Sequence, residues 1–402
     1  MGKQKSKLSR MIAATLLGIL VYRIGAHVPL PGVEMPDILS NDFARTASML
    51  TGASLSQATL FGLGVMPFIM AQIVMQVLQT MHPRVKAIYN DGTAGRNKIT
   101  QWTRMLTVPF AAIAATLYLM SATVTVDGID PVMLKVMDGI ILVGGAMLLM
   151  RIGELIAEHG IGQGMSVIVC ASILAQIPST FTTGAMYTEH LGVDIAVAAA
   201  MFLITVPIVV RMERAQKRIP VTYASAQKSN KVDTYLPIRL VVAGVVPVIF
   251  ASAIRTIPLM VLAAMPDQFE NYLKVASFMN GWGGIALEAL LIVLFSFIYA
   301  ALAFDCSQIA KNLAENGGYI ADADVAPGSQ TERYLKNVVR EITWPGGILL
   351  TIVAIVPSII ALATGNMFVS AIGGTSLIIV ADTIMQMADQ VSGEMAVAKT
   401  DR

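Results

Sequence analysis

The chain has 402 residues and a formal net charge of +2 at pH 7. Hydrophobic residues make up 55% of it and charged residues only 13%, whereas soluble domains usually carry about 25% charged residues. This composition excludes a water-soluble globular protein and predicts an integral membrane protein.

Ten apolar windows come close to the ~20 residues that a membrane-spanning helix needs. In chain order they cover residues 11–30, 60–81, 105–122, 138–157, 163–178, 194–210, 240–265, 283–304, 346–364 and 367–387. The first window lacks a small-residue cleavage site and is followed by further spans, so no cleavable signal peptide is expected. Cys170 within a span and Cys306 in a loop at the end of another predict neither a disulfide framework nor a metal site.

Basic residues predict that both termini lie in the cytoplasm. With this orientation, 22 of the 28 lysines and arginines fall in cytoplasmic segments. The others are exterior (Arg45, Lys135, Lys274) or inside spans (Arg23, Arg151, Arg255). This bias follows the positive-inside rule. Two long cytoplasmic loops, 211–239 and 305–345, suggest docking surfaces, although solvated connectors explain them equally well.

The second window carries three amides on one helical face, Gln72, Gln76 and Gln79 at i, i+4 and i+7. Such a polar stripe must face protein or water rather than acyl chains. The preceding stretch GASLSQATLFGLG, residues 52–64, is too polar and too rich in small residues to span. It either lies at membrane depth inside protein or a water-filled cavity, or forms an amphipathic helix on the exterior surface.

Motifs for chemistry are almost absent from the sequence. The glycine-rich GIGQG, residues 160–164, has no strand before it and no lysine after it, so phosphate binding is not expected. Glu154, Glu158 and Glu288 lie in or near spans, where acids can serve ion coupling. Glu154 is three residues from Arg151 on one helical face and is expected to pair with it, whereas Glu288 has no obvious partner. The residues predict no enzyme, no metal and no cofactor.

Six motifs, in register along the chain, closely resemble the SecY family, the central subunits of the bacterial protein-conducting channel. They are PLPGV (29–33), GASLSQATLFGLGVMPFI (52–69), GIGQGMSVIV (160–169), ERAQKRIPVTYA (213–224), AGVVPVIFASAI (243–254) and GGTSLIIV (373–380). The resemblance runs from about residue 10 to residue 387 and so covers nearly the whole chain.

The resemblance implies an all-α integral membrane protein with ten transmembrane helices. A single channel domain, 1–402, would consist of two inverted pseudo-symmetric halves of five helices, 1–178 and 190–390, with a re-entrant plug helix at about 48–60. The family's pore ring of aliphatic residues would be formed by Val65, Ile69, Val169, Ile249, Ile254 and Ile379. The plug would include Ala53, Ser54, Leu55, Ser56, Gln57, Ala58 and Thr59.

The same resemblance implies a protein-conducting function and a set of partners. Gln76 matches the family's lateral-gate position, and helical spacing extends the gate to Gln72 and Gln79. The cytoplasmic face would dock a SecA-type ATPase or the ribosome, which supplies the energy, through basic residues: Arg214, Lys217, Arg218, Arg333, Lys336 and Arg340. The other implied partners are SecE-type and SecG-type small membrane subunits, a signal peptide and an unfolded polypeptide. The implied location of the protein is the bacterial cytoplasmic membrane.

Three positions depart from the family pattern. Ala326 stands before Pro327 where an arginine is usual, Gln163 replaces an asparagine, and Arg255 lies inside the seventh span just after a ring position. An isolated intramembrane arginine needs water or a partner, and we expect Arg255 to reach the exterior funnel. The alternative class is a secondary transporter of small solutes with inverted repeats, for which the intramembrane charges would be candidates. A third class, an assembly scaffold without a pore, gives no reason for the plug-like segment.

Overall fold

The computed structural model describes residues 2–34, 58–120, 122–124, 130–187, 191–223, 235–242, 244–263, 269–320, 328–366, 368–369 and 373–400. Within these ranges there are 13 helices. They are α1 Gly2–Gly25, α2 Met66–Met81, α3 Pro83–Tyr89, α4 Gly92–Met120, α5 Pro131–His159, α6 Gly164–Tyr187, α7 Leu191–Arg214, α8 Val246–Ala263, α9 Phe269–Asn280, α10 Trp282–Ala303, α11 Cys306–Glu315, α12 Ser329–Thr364 and α13 Gly374–Thr400.

Ten of these helices coincide with the ten predicted windows, and α3, α9 and α11 lie in the connections between them. Six stretches are long and apolar enough on their own to cross a membrane: Lys7–Gly25, Gly92–Met120, Pro131–His159, Gly192–Arg214, Trp282–Glu315 and Ser329–Thr364. α2, α6 and α8 contribute shorter apolar stretches. Large apolar side chains such as Ile140, Leu203 and Leu290 point outward from the bundle, as a lipid-facing surface requires.

The helix ends follow local sequence signals. Asp130 caps α5 by accepting a hydrogen bond from the Val132 N–H at 3.0 Å, and Pro131 occupies the first helical turn, where no backbone donor is needed. Gly365 ends α12 in the left-handed conformation at φ 66°. Asp305 caps α11, so Cys306 is the buried first residue of a helix and not part of a loop as expected.

Two small sheets lie in the connections. β1 Val33–Glu34 pairs with β2 Thr123–Val124. The larger sheet has the antiparallel order β4-β3-β5, with β3 Gln216–Tyr223 between β4 Tyr235–Arg239 and β5 Gly318–Ile320. The fold is therefore mostly helical, and the two long loops contain ordered strands and helices.

The main hydrophobic core lies in the middle of the bundle and takes side chains from most of the long helices. The glycine-rich GIGQG motif has a packing role there. A Cβ on Gly164 would lie 1.7 Å from the carbonyl oxygen of Gly153, so α5 and α6 approach each other backbone to backbone. This contact explains why the motif needs glycine without any phosphate ligand.

Candidate functional site

Five residues of the predicted ring, Val65, Ile69, Val169, Ile249 and Ile379, are buried members of the main hydrophobic core, and the sixth, Ile254, is partly buried and packs against it. We call these six residues the waist. Val65 immediately precedes α2, Ile69 lies in α2 and Val169 in α6. Ile249 and Ile254 lie in α8, and Ile379 lies in α13. Four separate regions of the chain therefore contribute aliphatic side chains to the same core.

Helix geometry explains the different burial of these residues. Val65 and Ile69 are four positions apart, so they share a face and both are buried. Ile249 and Ile254 are five positions apart, which turns their side chains by about 140° around the helix axis. Ile249 is consequently buried, whereas Ile254 is partly buried and packs against the edge of the cluster.

The predicted gate amides lie on one side of α2. Gln72, Gln76 and Gln79 are all half-buried, and α2 packs along α4 and also contacts α8 and α10. Gln79 lines a cavity of about 460 Å³ together with Phe297 and Ala300 of α10. α2 contains no charged residue, so its contacts with neighbouring helices are apolar or amide-based.

An ion pair connects α8 to α10 inside the bundle. A guanidinium nitrogen of Arg255 donates a hydrogen bond to a carboxylate oxygen of Glu288. The Arg255 side chain is 18% exposed and that of Glu288 only 3%. The expectation that Glu288 has no obvious partner is therefore wrong, and Arg255 has the partner that an intramembrane arginine needs. Removing one partner of such a pair costs about 3–5 kcal/mol, because the other charge stays buried and uncompensated.

A second ionic contact connects α4 to α5. The expected pair is present, with Arg151 Nη1 3.0 Å from Glu154 Oε2. The other carboxylate oxygen of Glu154 accepts a hydrogen bond from Arg104 Nε at 2.5 Å. Because both oxygens contact arginines, Glu154 has a structural role between two helices. Glu158 is half exposed and lies 3.9 Å from the imidazole of His159.

Most of the predicted plug, Ala53, Ser54, Leu55, Ser56 and Gln57, lies outside the described residues. Its last two residues, Ala58 and Thr59, are tied to the segment that follows α1. The Ala58 carbonyl accepts a hydrogen bond from the Leu30 N–H at 2.8 Å, and the Leu60 N–H donates to the Val28 carbonyl at 2.9 Å. This anchor fixes where the segment enters the bundle before α2.

The larger sheet carries part of the predicted docking surface. Arg214 at the end of α7, and Lys217 and Arg218 in β3, are all exposed. The Arg218 guanidinium lies 4.8 Å from the ring centre of Tyr235 in β4, a cation–π contact that orients it.

On α12, Arg333, Lys336 and Arg340 are exposed, and Lys336 pairs with Glu332 at 2.6 Å. Lys336 and Arg340 also line the cavity that Gln79 borders, so they lie beside α2 as well as at the surface. Ala326 and Pro327 lie outside the described residues.

The structure also reveals a polar cluster that the sequence analysis did not select. Asp382 lies three residues after Ile379 in α13, is buried, and accepts a hydrogen bond from Gln386 at 2.8 Å. Glu213, at the end of α7, is buried and interacts electrostatically with Asp382 and Arg239. The sequence could have singled out Asp382, because an acidic residue is unusual within an apolar window. It could not have identified its neighbours, which come from distant parts of the chain.

Comparisons with known proteins agree with this geometry. A family model described as SecY matches residues 59–388. The protein translocase subunit SecY of Streptomyces galbus is 33% identical over 419 residues, covering 96% of this chain and 95% of that protein. The SecY subunit of Haemophilus influenzae is 34% identical over 415 residues, covering 98% and 92%.

Solved structures share the fold. A structure of a SecY protein whose plug domain stabilises the closed state of its translocation channel has a TM-score of 0.70 at 16% identity, covering 96% of this chain and 92% of that one. Sec61 in the canine ribosome-channel complex has a TM-score of 0.65 at 17% identity, covering 96% and 93%.

The fold is thus that of a membrane-embedded, protein-conducting channel built mostly from helices. Relatives above 30% identity cover nearly the whole chain and most of their own length. The chain belongs to the SecY family of protein translocase subunits. It is a multi-pass membrane protein and a subunit of a protein-conducting channel, and it is not itself an enzyme. A small-solute transporter and a scaffold without a pore are therefore set aside.

Proposed function

We propose that the waist is the closed constriction of an hourglass pore through which unfolded, signal-bearing polypeptides cross the bacterial cytoplasmic membrane. The observation that carries this proposal is that α2 and the residue before it, α6, α8 and α13 all contribute these aliphatic side chains to the main hydrophobic core, five of them buried in it and Ile254 packed against it. The two halves, 1–178 and 190–390, each supply part of it. Val65, Ile69 and Val169 come from the first half, and Ile249, Ile254 and Ile379 from the second.

Aliphatic side chains suit both states of such a constriction. They offer an ion nothing to replace its hydration shell, so a narrow waist excludes water and blocks ion flow at rest. When a polypeptide passes, the same side chains surround it without directional hydrogen bonds that would have to break at each step. Valine and isoleucine side chains can therefore seal the resting pore and let a polypeptide pass, whereas polar side chains would do neither.

The contact of α2 with α8 and α10 serves as the lateral gate through which apolar segments enter the lipid. Interhelical hydrogen bonds inside membranes average only about 0.6 kcal/mol, so the amides Gln72, Gln76 and Gln79 hold this contact weakly. Each leucine of an arriving helix gains about 0.3–0.6 kcal/mol at mid-membrane. A few leucines are enough to compete with the amides.

The segment 48–60 acts as a plug on the exterior side of the waist. Its attachment at Ala58 and Leu60 to the segment after α1 supports this role, because it ties the end of the segment next to the start of α2. The exterior position rests on the cytoplasmic orientation of both termini, which the distribution of basic residues supports.

The basic residues of the larger sheet and of α12 dock the partner that drives transport. Arg214, Lys217 and Arg218 present exposed positive charge, which suits RNA phosphates or an acidic protein surface. Solved relatives with this fold include channels in complex with ribosomes, which supports a ribosome as one partner. A SecA-type ATPase is the other candidate, and SecE-type and SecG-type subunits complete the assembly.

Replacing Ile379 with asparagine tests the waist. An amide in the cluster can hydrogen-bond water, so we expect Ile379→Asn to wet the resting pore and to raise its conductance in a planar bilayer without substrate. The wild-type channel should stay silent. Ile379 is fully buried, so the variant's folding is checked by its thermal unfolding in detergent.

Ile384→Asn is the matched control, because Ile384 lies on the same helix with 53% of its surface exposed. It adds the same amide to α13 outside the waist and should leave the channel silent. A folded Ile379→Asn channel that conducts no more than the Ile384→Asn control would refute the waist.

A further inference from the structure

The most buried ion pair among the described residues joins two helices that both border the proposed gate. Arg255 belongs to α8 and Glu288 to α10, and α2 contacts each of these helices. Arg255 directly follows the waist residue Ile254 in the sequence. The pair therefore lies next to the constriction and within the moving part of the proposed channel.

The interfaces between neighbouring helices around this pair, which we call seams, are stabilised by different contacts. The seam between α8 and α10 contains the Arg255–Glu288 ion pair, with the Glu288 side chain 3% exposed. The seam between α2 and these two helices has no ion pair, since α2 has no charged residue. Separating two opposite charges at membrane depth is far more costly than breaking amide hydrogen bonds or apolar contacts.

We propose that the Arg255–Glu288 pair holds α8 and α10 together as one unit, so that the channel opens laterally along α2 and not between α8 and α10. The inference rests on the proposed lateral gate. It makes the two residues positioning residues, because they act through the packing of α8 against α10.

The test compares helix separations in resting and engaged channels. In a cysteine-free background, with the buried Cys170 and Cys306 replaced by alanine, spin labels are placed at exposed positions on the three helices: Leu78 in α2, Ile257 in α8 and Leu290 in α10. The channel is reconstituted with its membrane partners and engaged by a signal-bearing polypeptide that is stalled by a folded domain. Label-to-label distances are then measured by pulsed electron paramagnetic resonance.

In the channel that keeps the Arg255–Glu288 pair, binding of the stalled polypeptide should increase the distance between the labels at 78 and 257. It should leave the distance between the labels at 257 and 290 unchanged. The main variant is the neutral double substitution Arg255→Met with Glu288→Gln, which removes the pair without leaving a buried charge. We expect the population with separated α8 and α10 to rise roughly tenfold in the engaged channel, equal to about 1.4 kcal/mol. The charge-swapped double variant, Arg255→Glu with Glu288→Arg, should restore a single 257–290 distance.

Lys7 and Glu394 provide a matched control, because they form an ion pair between α1 and α13 at 2.9 Å, away from the gate. The neutral double variant Lys7→Met with Glu394→Gln should leave both distances as in the wild type. If the neutral Arg255/Glu288 variant keeps α8 and α10 together in the engaged state, the pair does not select the seam and the inference is overturned. If the 78–257 distance of the wild type does not change on engagement, the lateral gate itself is wrong, which is a distinct outcome.

Discussion

The waist and the larger sheet are built from opposite kinds of contact. The waist consists of aliphatic side chains from several helices, whose packing has no preferred direction. The sheet is fixed by an antiparallel hydrogen-bond ladder and presents oriented charges, such as Arg218 over Tyr235. Contacts without direction suit a place where any sequence must slide past, whereas directed contacts suit a place where a partner must dock in one orientation.

The largest expected effect comes from disturbing the connection between the sheet and α8, the helix that carries two waist residues. A Cβ on Gly346 of α12 would lie 2.2 Å from the carbonyl oxygen of Leu240, which directly follows β4. We expect Gly346→Ala to force the two backbones apart and to destabilise the protein by about 1–3 kcal/mol, the usual cost of overpacking. Thermal unfolding of the purified channel measures this loss.

Gly393→Ala in α13 is the control, because nothing lies within 4 Å of the added methyl group. It should leave the unfolding temperature unchanged or raise it slightly, since alanine favours helix over glycine. Equal unfolding temperatures for the two alanine variants would mean that the contact between α12 and Leu240 is not tight.

The next prediction distinguishes binding of the cytoplasmic partner from closure of the resting pore. Replacing Arg214, Lys217 and Arg218 together by glutamate should weaken binding of the cytoplasmic partner by about tenfold or more at low salt, because attraction becomes repulsion. The difference should shrink as ionic strength rises, since the screening length is about 10 Å at 0.1 M salt. Resting conductance should stay at the wild-type level, because no waist residue is changed.

The control triple variant reverses Arg84, Arg96 and Lys98, which are also exposed and also on the predicted cytoplasmic side. Arg96 even repeats the cation–π arrangement, 5.5 Å from the ring centre of Tyr89. Equal loss of partner binding in both triple variants would show that net charge, and not the sheet surface, governs docking.

The smallest expected effect concerns the gate. Gln76→Leu removes one amide from the α2 stripe, and a hydrogen bond of about 0.6 kcal/mol corresponds to about a threefold change in gate opening. We expect export to accept signals of lower hydrophobicity, measured with a graded series of signal peptides. Val74→Leu, an apolar change on the same helix, should leave the threshold where it was. An unchanged threshold in Gln76→Leu would contradict the gate role of this residue.

The sequence predicted the number and order of the long helices well, because each membrane span is a continuous stretch of mostly apolar residues that a short window of sequence reveals. It also predicted the Arg151–Glu154 pair, since three-residue spacing places both on one helical face. Local patterns could not predict Arg104 as the third member or Glu288 as the partner of Arg255. Those contacts depend on how distant helices align against each other, which no short window of sequence contains.

The ring residues show the same limit from another direction. Aliphatic side chains are so common in this chain that only resemblance to a family distinguished six of them, and their shared position in or against the main core depends on how distant helices pack. Asp382 illustrates the reverse case. The sequence alone shows that an acidic residue is unusual in this apolar window. Its neighbours Glu213 and Arg239, however, come from segments more than a hundred residues away.

Only six residues, 240–245, separate the end of β4 from the start of α8. The Leu240 N–H also donates to the Ala215 carbonyl at 2.8 Å, which joins this connection to the beginning of the sheet. If a partner docks on this sheet as proposed, a displacement of the sheet would reach the helix that carries Ile249 and Ile254 through no more than these six residues.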